Sequence, residues 1–355
     1  MRYMGIDVGK RRCVAVVKDE CGSSLQEIRF LNSGDGVRQL LDAVKPEGDL
    51  VAVVEATCNA WVKIYDALMD NGVHVKLANP SKTRAIAEAR IKSDRVDASI
   101  LADLLRGDLV AESYVPSKER REQRALVRHR AALIKERTEV KNRIHSLLEK
   151  YDLDETLFSD LFSKSGREWL STIKLSDTDR FILEGELMLL KSLEEQVDRV
   201  TRRIASEAYD EDDVKLLMTM PGIDFYSALL IISEIGSIDR FRDQWKLVSY
   251  AGLAPSLHQS GNTLYTGRIT KRGSKWLRWI MVQCAQTARL HDERLKRYYE
   301  RVASKKGHQK AIVAVAKEML CIIWFMLKRK EPYRGENKNL TNRKLMKMHR
   351  LAQEG

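Results

Sequence analysis

The sequence predicts an α/β domain on a mixed sheet, followed by a mainly helical half. Three observations predict it. The first hundred residues alternate short β-rich runs with helical ones. Two apolar stripes with heptad spacing follow Pro116. The remainder reads as helices broken by a Pro-Gly turn and by one stretch rich in Gly, Ser and Thr.

The elements follow in order. Tyr3 to Val8 and Cys13 to Val17 are strand-forming runs separated by Gly9-Lys10, and Asp19 to Ser24 reads as a turn before a third strand, Leu25 to Leu31. Gly36 to Val44 has helical spacing. Leu50 to Val54 is a continuous apolar run, which suits a buried central strand. Trp61 to Met69 predicts a helix ended by Asn71-Gly72, and Val73 to Ala78 a strand stopped by Asn79-Pro80. Three strands, a helix and a strand–helix–strand unit fit one mixed sheet. Helices over Ser81 to Ala89 and Asp94 to Arg106 complete a first domain, residues 1–115.

Leu126, Leu133, Val140 and Leu147 lie seven apart, with Ile134, Ile144 and Leu148 widening the stripe. Leu183, Leu190, Val197 and Ile204 repeat the spacing, with Leu187 and Val200 between. Such heptads predict a helical hairpin or coiled-coil arm over residues 116–209, and with it a homo-oligomer, dimer or tetramer. Asp210 to Asp213 reads as a solvated acidic linker, because consecutive carboxylates do not converge on one face. Val214 to Gly236 predicts helix, a Pro221-Gly222-Ile223 turn, and helix. Trp276 to Leu290 and Ala311 to Leu327 predict two more, giving a domain over residues 210–330. The chain from Lys328 is basic and expected to be partly disordered, ending in a tail over residues 331–355.

Composition narrows the function. The 355 residues carry 62 Lys+Arg against 50 Asp+Glu, a net charge of +12. Residues 1–100 are nearly neutral, 15 basic against 14 acidic, whereas residues 291–355 carry 17 against 7. A basic C-terminal half points to a polyanion, and nucleic acid is the commonest one. The best apolar stretch, Ala311 to Leu327, is interrupted by Lys317 and Glu318, so no membrane span is expected. The N-terminus meets charges before any apolar run, so no signal peptide is expected. Five cysteines without a CxxC pair disfavour a disulfide framework and fit a reducing cytoplasm.

Four carboxylates carry the chemistry. Asp7 sits on the first strand, and Glu55 directly extends the apolar run of the central one. Asp94 and Asp97, three apart, share one face of a helix. Singly, each has an ordinary account: Asp7 could cap a turn before Gly9, and Asp94 could cap its helix with Asp97 at the dipole. Together, on neighbouring elements, they can converge, and such a cluster calls for a hard divalent cation, Mg²⁺ or Mn²⁺. Two such ions about 4 Å apart would clamp the attacking and leaving oxygens of a phosphodiester.

The second half adds phosphate-binding candidates. A helix, a turn at Gly222 and a second helix resemble a helix–hairpin–helix, whose turn amides hold a phosphate without reading bases. Arg268, Lys271, Arg272, Lys275 and Arg278 lie among Gly252, Gly261, Gly267 and Gly273, where small residues permit close backbone approach. Lys92 precedes the two aspartates and is a further nucleic-acid candidate.

Asp7 in GIDVGK, Glu55 in VEAT and the segment KSDRVDASILADLL resemble the RuvC-like DEDD domain of the IS110 family of insertion-sequence transposases. SYAGLAPSLHQSGNTLYTGRITKRGSKWLR, residues 249–278, resembles that family's C-terminal transposase domain. The resemblance implies an RNase H/RuvC-like sheet bearing the four carboxylates as catalytic and metal-holding residues. It implies that Ser260 is a nucleophile forming a covalent serine–DNA intermediate. It also implies DNA partners, the element ends and the target, and guidance by a structured bridge RNA. The base that would activate Ser260 stays open among His258, a metal-bound oxygen and a carboxylate. Ser256 follows Pro255 and Ser274 can cap the next helix, so both have structural accounts. No GxxxxGK[ST] loop is present, in keeping with bond-conserving chemistry without ATP. The alternative is a RuvC-like endonuclease with water as nucleophile, which would keep cutting after Ser260→Ala. An actin-like ATPase would need further Gly-rich loops, and a non-catalytic nucleic-acid binder would tolerate loss of all four carboxylates.

Overall fold

The computed structural model describes residues 1–45, 48–56, 59–86, 93–151, 153, 158–260 and 263–354. The chain divides into two compact units, Met1–Val115 and Pro116–Gly355.

The first unit is built on β1 (Arg2–Val8), β2 (Arg12–Lys18), β3 (Ser24–Leu31), β4 (Leu50–Glu55) and β5 (His74–Ala78), in the spatial order β3-β2-β1-β4-β5. The first three strands form an antiparallel meander, and β4 runs parallel to both β1 and β5. Parallel neighbours need crossover connections, supplied by α1 (Gly34–Val44) and α2 (Val62–Asp70). Both cover one face, where Val37, Leu40, Val44, Ile64 and Leu68 meet Met4, Ile6, Ala15, Ala52 and Val54. After α3 (Pro80–Ile86), α4 (Asp94–Arg106) covers the other face. There Leu101 and Leu105 pack on Val53, and Ala98 packs on Val14 and Val16. Lys18 of β2 is buried and reaches Asp103 of α4 at 2.5 Å, a second tie between helix and sheet. This order and these directions are consistent with an RNase H-like domain, and the mixed sheet agrees with the expectation from sequence.

In the second unit α5 (Lys118–Leu148) and α7 (Asp177–Tyr209) flank a short α6 (Lys164–Thr172). Lys150–Asp179, Arg143–Glu186 and Arg120–Glu211 pair at 2.8–2.9 Å, one partner rising in number as the other falls. The two long helices are therefore antiparallel. Leu133, Val140 and Leu147 pack with Leu183, Leu190 and Val197 in one cluster. The heptad seam is thus filled within the chain, and it no longer argues for a second copy.

Around this hairpin lie α8 (Asp212–Met218), α9 (Phe225–Ile235), α10 (Gln244–Tyr250), the two-stranded β6 (Pro255–Ser260) and β7 (Thr263–Ile269), α11 (Lys275–His291), α12 (Glu293–Lys306), α13 (His308–Arg329) and α14 (Lys338–Gln353). Every residue of α9 is buried, as befits a helix that is apolar nearly all round. It packs against α5, α7, α8 and α11. Among the described residues the four cysteines, Cys13, Cys21, Cys284 and Cys321, are free. No described helix is long and apolar enough to cross a membrane.

Two expectations are corrected. The acidic run at Asp210 is not a solvated linker throughout. Glu211 takes both guanidinium nitrogens of Arg120 at 2.8 Å and Gln123 at 3.0 Å, and Asp213 pairs with Lys330 at 2.6 Å. Nor is the basic tail disordered, because it folds as α14, with Thr341 and Met348 buried. Lys344 points inward and donates to the carbonyls of Met218, Met220 and Ile223 at 2.6–2.9 Å. Net charge had hidden a helix whose Leu345, Met348 and Leu351 join the main core of this unit. Lys344→Ala would leave three carbonyls without that donor and is expected to cost about 1–3 kcal/mol. A lower denaturation midpoint and faster proteolysis of residues 331–354 would show it.

Candidate active site

Register places the first two carboxylates. Ile6 pairs with Val54 in the parallel β1–β4 ladder. Asp7 and Glu55, next along, therefore end adjacent strands side by side. Side chains alternate along a strand. Ile6 and Val54 point into the α1–α2 core and Val53 points at α4, so Asp7 and Glu55 stand on the face that α4 covers.

The helix brings the other two. Ser93 caps α4, its hydroxyl accepting from the Val96 amide at 3.3 Å, and both Asp94 and Asp97 lie in the first turn. The capping account of Asp94 therefore fails, because Ser93 holds that position.

The four charges sense one another. Asp7 is half-buried, and burial pushes its pKa up from 3.8 to about 6. Repulsion from Asp94, Glu55 and Asp97 adds to the push, and a hydrogen bond from the Val8 backbone opposes it. Yet among the described residues no three carboxylate, imidazole or thiolate groups are close enough to hold one metal ion. The carboxylates are neighbours without being a preformed cage. A cleft of about 580 Å³ passes Asp94, lined also by Arg12, Arg29 and Arg95. Arg29 and Arg95 each lie 3.0 Å from Glu27.

Sequence reading missed what lets α4 approach. A Cβ on Gly5 would lie 2.1 Å from the Ala98 carbonyl oxygen and 2.5 Å from the Ala102 nitrogen. Only glycine allows the backbones of β1 and α4 to touch there. Gly5 thereby holds Asp94 and Asp97 beside Asp7. The clue in sequence was its place two residues before the aspartate, on the same face of the strand.

In the second unit Ser260 ends β6 and its backbone pairs with Thr263. The end of β7, the loop after it and the start of α11 present Arg268, Lys271, Arg272 and Lys275 as exposed cations. Arg278 is otherwise engaged, donating to the carbonyls of Ala251 and Lys271 at 3.0 and 3.2 Å. Gly222 (φ +82°) also has a packing account, since a Cβ there would lie 2.5 Å from the Cys284 carbonyl oxygen of α11. The first turn of α9 is capped by Asp224, which accepts from the Ser227 amide at 2.8 Å. Lys92 lies outside the described residues.

Ser274 caps α11 as its position suggested, 3.1 Å from the Leu277 amide, and its hydroxyl donates to Glu234 at 2.8 Å. Glu234 is 1% exposed and pairs with Arg128 at 2.6 Å. Arg124 reaches the neighbouring Ser233 carbonyl at 2.6 Å. This network ties α5 and α9 to the end of the basic loop. It too was missed, although a lone acid in the apolar run of α9 gave the same signal as Glu55.

Residues 4–152 match the DEDD-type transposase family model, and residues 214–300 match that of the transposase IS116/IS110/IS902 family. Together they cover well over half of the chain. The transposase for insertion sequence element IS1111A of Coxiella burnetii is 26% identical over 344 residues, covering 94% of this chain and 92% of that protein. The IS1328 transposase of Yersinia enterocolitica is 23% identical, covering 90% and 95%. The pilin gene-inverting protein of Moraxella bovis is 24% identical, covering 93% and 97%. The chain, with its mixed-sheet unit and its helical second half both matched in order, belongs to the IS110/IS116 family of insertion-sequence transposases.

Proposed function

We propose that this chain is the recombinase of an insertion sequence, cutting and rejoining DNA through a covalent serine–DNA intermediate. What supports the reading most is that Asp7 and Glu55 end adjacent strands on the face that α4 covers with Asp94 and Asp97 in its first turn. An all-oxygen, strongly negative donor set suits a hard divalent cation, Mg²⁺ or Mn²⁺. The push on Asp7 by its acidic neighbours is the repulsion that a cation would relieve. Asp7, Glu55, Asp94 and Asp97 would hold the ion, and when bound it would supply Lewis-acid polarisation of a phosphodiester.

The residues of the chain would do the rest. The Ser260 hydroxyl attacks phosphorus and gives up its proton to a base. A phosphoserine ester forms, and the 3′-oxygen leaves as a free hydroxyl. The 3′-hydroxyl of the exchanged strand then attacks the ester and returns the serine. One ester replaces another at each step, so no nucleotide hydrolysis is required. Arg268, Lys271, Arg272 and Lys275 meet the flanking phosphates as sequence-independent contacts. Pairing of target and donor with a structured bridge RNA is part of the proposal and rests on the family resemblance alone.

The test is a cleavage reaction on DNA carrying the junction of the element, with its flanking non-coding RNA and Mg²⁺. Denaturing gels should show a protein–DNA adduct with the wild type and none with Ser260→Ala. Free cut ends that persist undiminished in Ser260→Ala would replace the serine mechanism with hydrolysis. A second readout needs no DNA. Mg²⁺ at ten times its Kd should stabilise the protein by about 1.4 kcal/mol, and Asp94→Ala should lose that gain. An unmoved wild-type melting curve would remove the metal from the scheme.

A further inference from the structure

One strongly charged surface has no part in the proposed chemistry. Along α12, Arg294, Arg297, Tyr298, Arg301 and Lys305 recur at helical spacings of three, four, seven and eleven residues from Arg294, which sets them on one face. The row is about 16 Å long at 1.5 Å per residue. The helix is anchored beside the row by Leu295, which is fully buried. Two hollows adjoin the row, of about 440 and 320 Å³, and both include Arg294 and Glu318. Between them they are lined by five arginines and two glutamates.

The cations are arranged on aromatic rings. The Arg301 guanidinium sits 5.2 Å from the Tyr298 ring centre, and that of Arg329 sits 5.1 Å from Phe325. Phe325 is 38% exposed, a large ring left open to solvent. Arg294 is held by Glu318 at 2.8 Å, which fixes its place without hiding it, as it stays 64% exposed. Stacked guanidinium planes and open rings accept the faces of unpaired bases, while the same cations neutralise phosphates. A duplex presents its backbone and keeps its base faces inside, so it would use only half of this surface. An acidic peptide would use the charge and leave the rings idle.

We propose that the groove between α12 and α13 is a track for a single nucleic-acid strand, its phosphates on the Arg294–Arg297–Arg301 row and its bases against Tyr298 and Phe325. The transposase reading enters only in naming nucleic acid as the polyanion. Unpaired DNA and unpaired RNA share this chemistry, and the experiment separates them.

The full-length protein is titrated, without divalent metal, into fluorescently labelled single-stranded DNA, single-stranded RNA and duplex DNA of equal length. The wild type is compared with the exposed pair Arg297→Ala/Arg301→Ala, and matching melting curves verify the fold. Affinity for the preferred strand should fall about tenfold. Because two phosphates are no longer neutralised, the slope of log K against log salt should flatten by about 1.4. Arg297→Lys/Arg301→Lys should restore the slope, since it keeps the charges. Whichever strand loses more identifies the source. An unchanged strand affinity and slope would overturn the proposal, as would an equal loss for the duplex or competition by polyglutamate as effective as by the strand. Cleavage is not read, so a failed adduct assay with this result intact would count against the recombination scheme and not against the track.

Discussion

Asp7→Asn is expected to lower DNA cleavage and joining on the order of 10³-fold, the scale set by removing one group that stabilises charge at a reacting centre, and at the same time to make the protein harder to unfold. The two effects share one cause. The Asp7 pKa rises from 3.8 in the unfolded chain to about 6 in the fold. Between those values the folded protein keeps a proton that the unfolded chain has released, so stability falls as pH rises through this window. Above about pH 6 the penalty is fully present. Asparagine removes it without changing the shape of the side chain. Melting curves from pH 4 to 8 should show the wild type losing stability relative to the variant across the window. Solvent at this half-buried group screens part of the effect, so the direction of the difference is the readout. A variant less stable than the wild type at pH 7.5 would refute the account of Asp7 as a strained carboxylate, whatever the activity.

Gly5→Ala should damage both the fold and the site, although it adds only one methyl group. The new carbon would fall 2.1 Å from the Ala98 carbonyl oxygen, and backbone cannot rotate away as a side chain can. Either α4 lifts from β1 or the strand bends. Overpacking of this kind costs typically 1–3 kcal/mol and sometimes more, and a clash between two backbones belongs at the upper end. Any lift also carries Asp94 and Asp97 away from Asp7. The variant should therefore unfold at lower denaturant and lose the Mg²⁺-dependent thermal gain together. Loss of stability with an intact Mg²⁺ response would show that the carboxylates are placed by some other contact. A matched control is Ala98→Gly, which removes a methyl from the same helix and leaves the backbone contact in place.

The parts of this fold that could be read in sequence are those in which a local pattern and a tertiary demand coincide. β1 and β4 alternate or run apolar because the sheet buries them, and Glu55 stood out because a charge at the end of such a run needs a reason. Asp94 and Asp97 were legible as a pair because helix geometry sets them on one face. What depends on a distant partner was not legible. Gly5 matters through Ala98 and Ala102, about ninety residues away; its place on the face of Asp7 marks the strand position but does not name the helix that meets it. Lys344 looks like one more solvated cation until Met218, Met220 and Ile223 are seen around it. The heptads were read correctly as a seam, but a seam does not say whether its partner lies in the same chain. Glu234 carried a visible signal that the stronger pattern of the first domain eclipsed.

The complete burial of α9 governs how the protein can be made. The first unit is a continuous segment ending at Val115, so it can close while the ribosome is still translating the rest. The second cannot. The core around α9 takes residues from α11 and α13, up to Leu327, and until these emerge a mainly apolar helix has too few partners to cover it. For roughly the last third of synthesis the nascent chain carries a finished head and an open, adhesive middle. Transcripts broken within that interval would yield aggregates rather than a shortened enzyme, so a truncated copy of the gene would leave little soluble product to compete with the intact one.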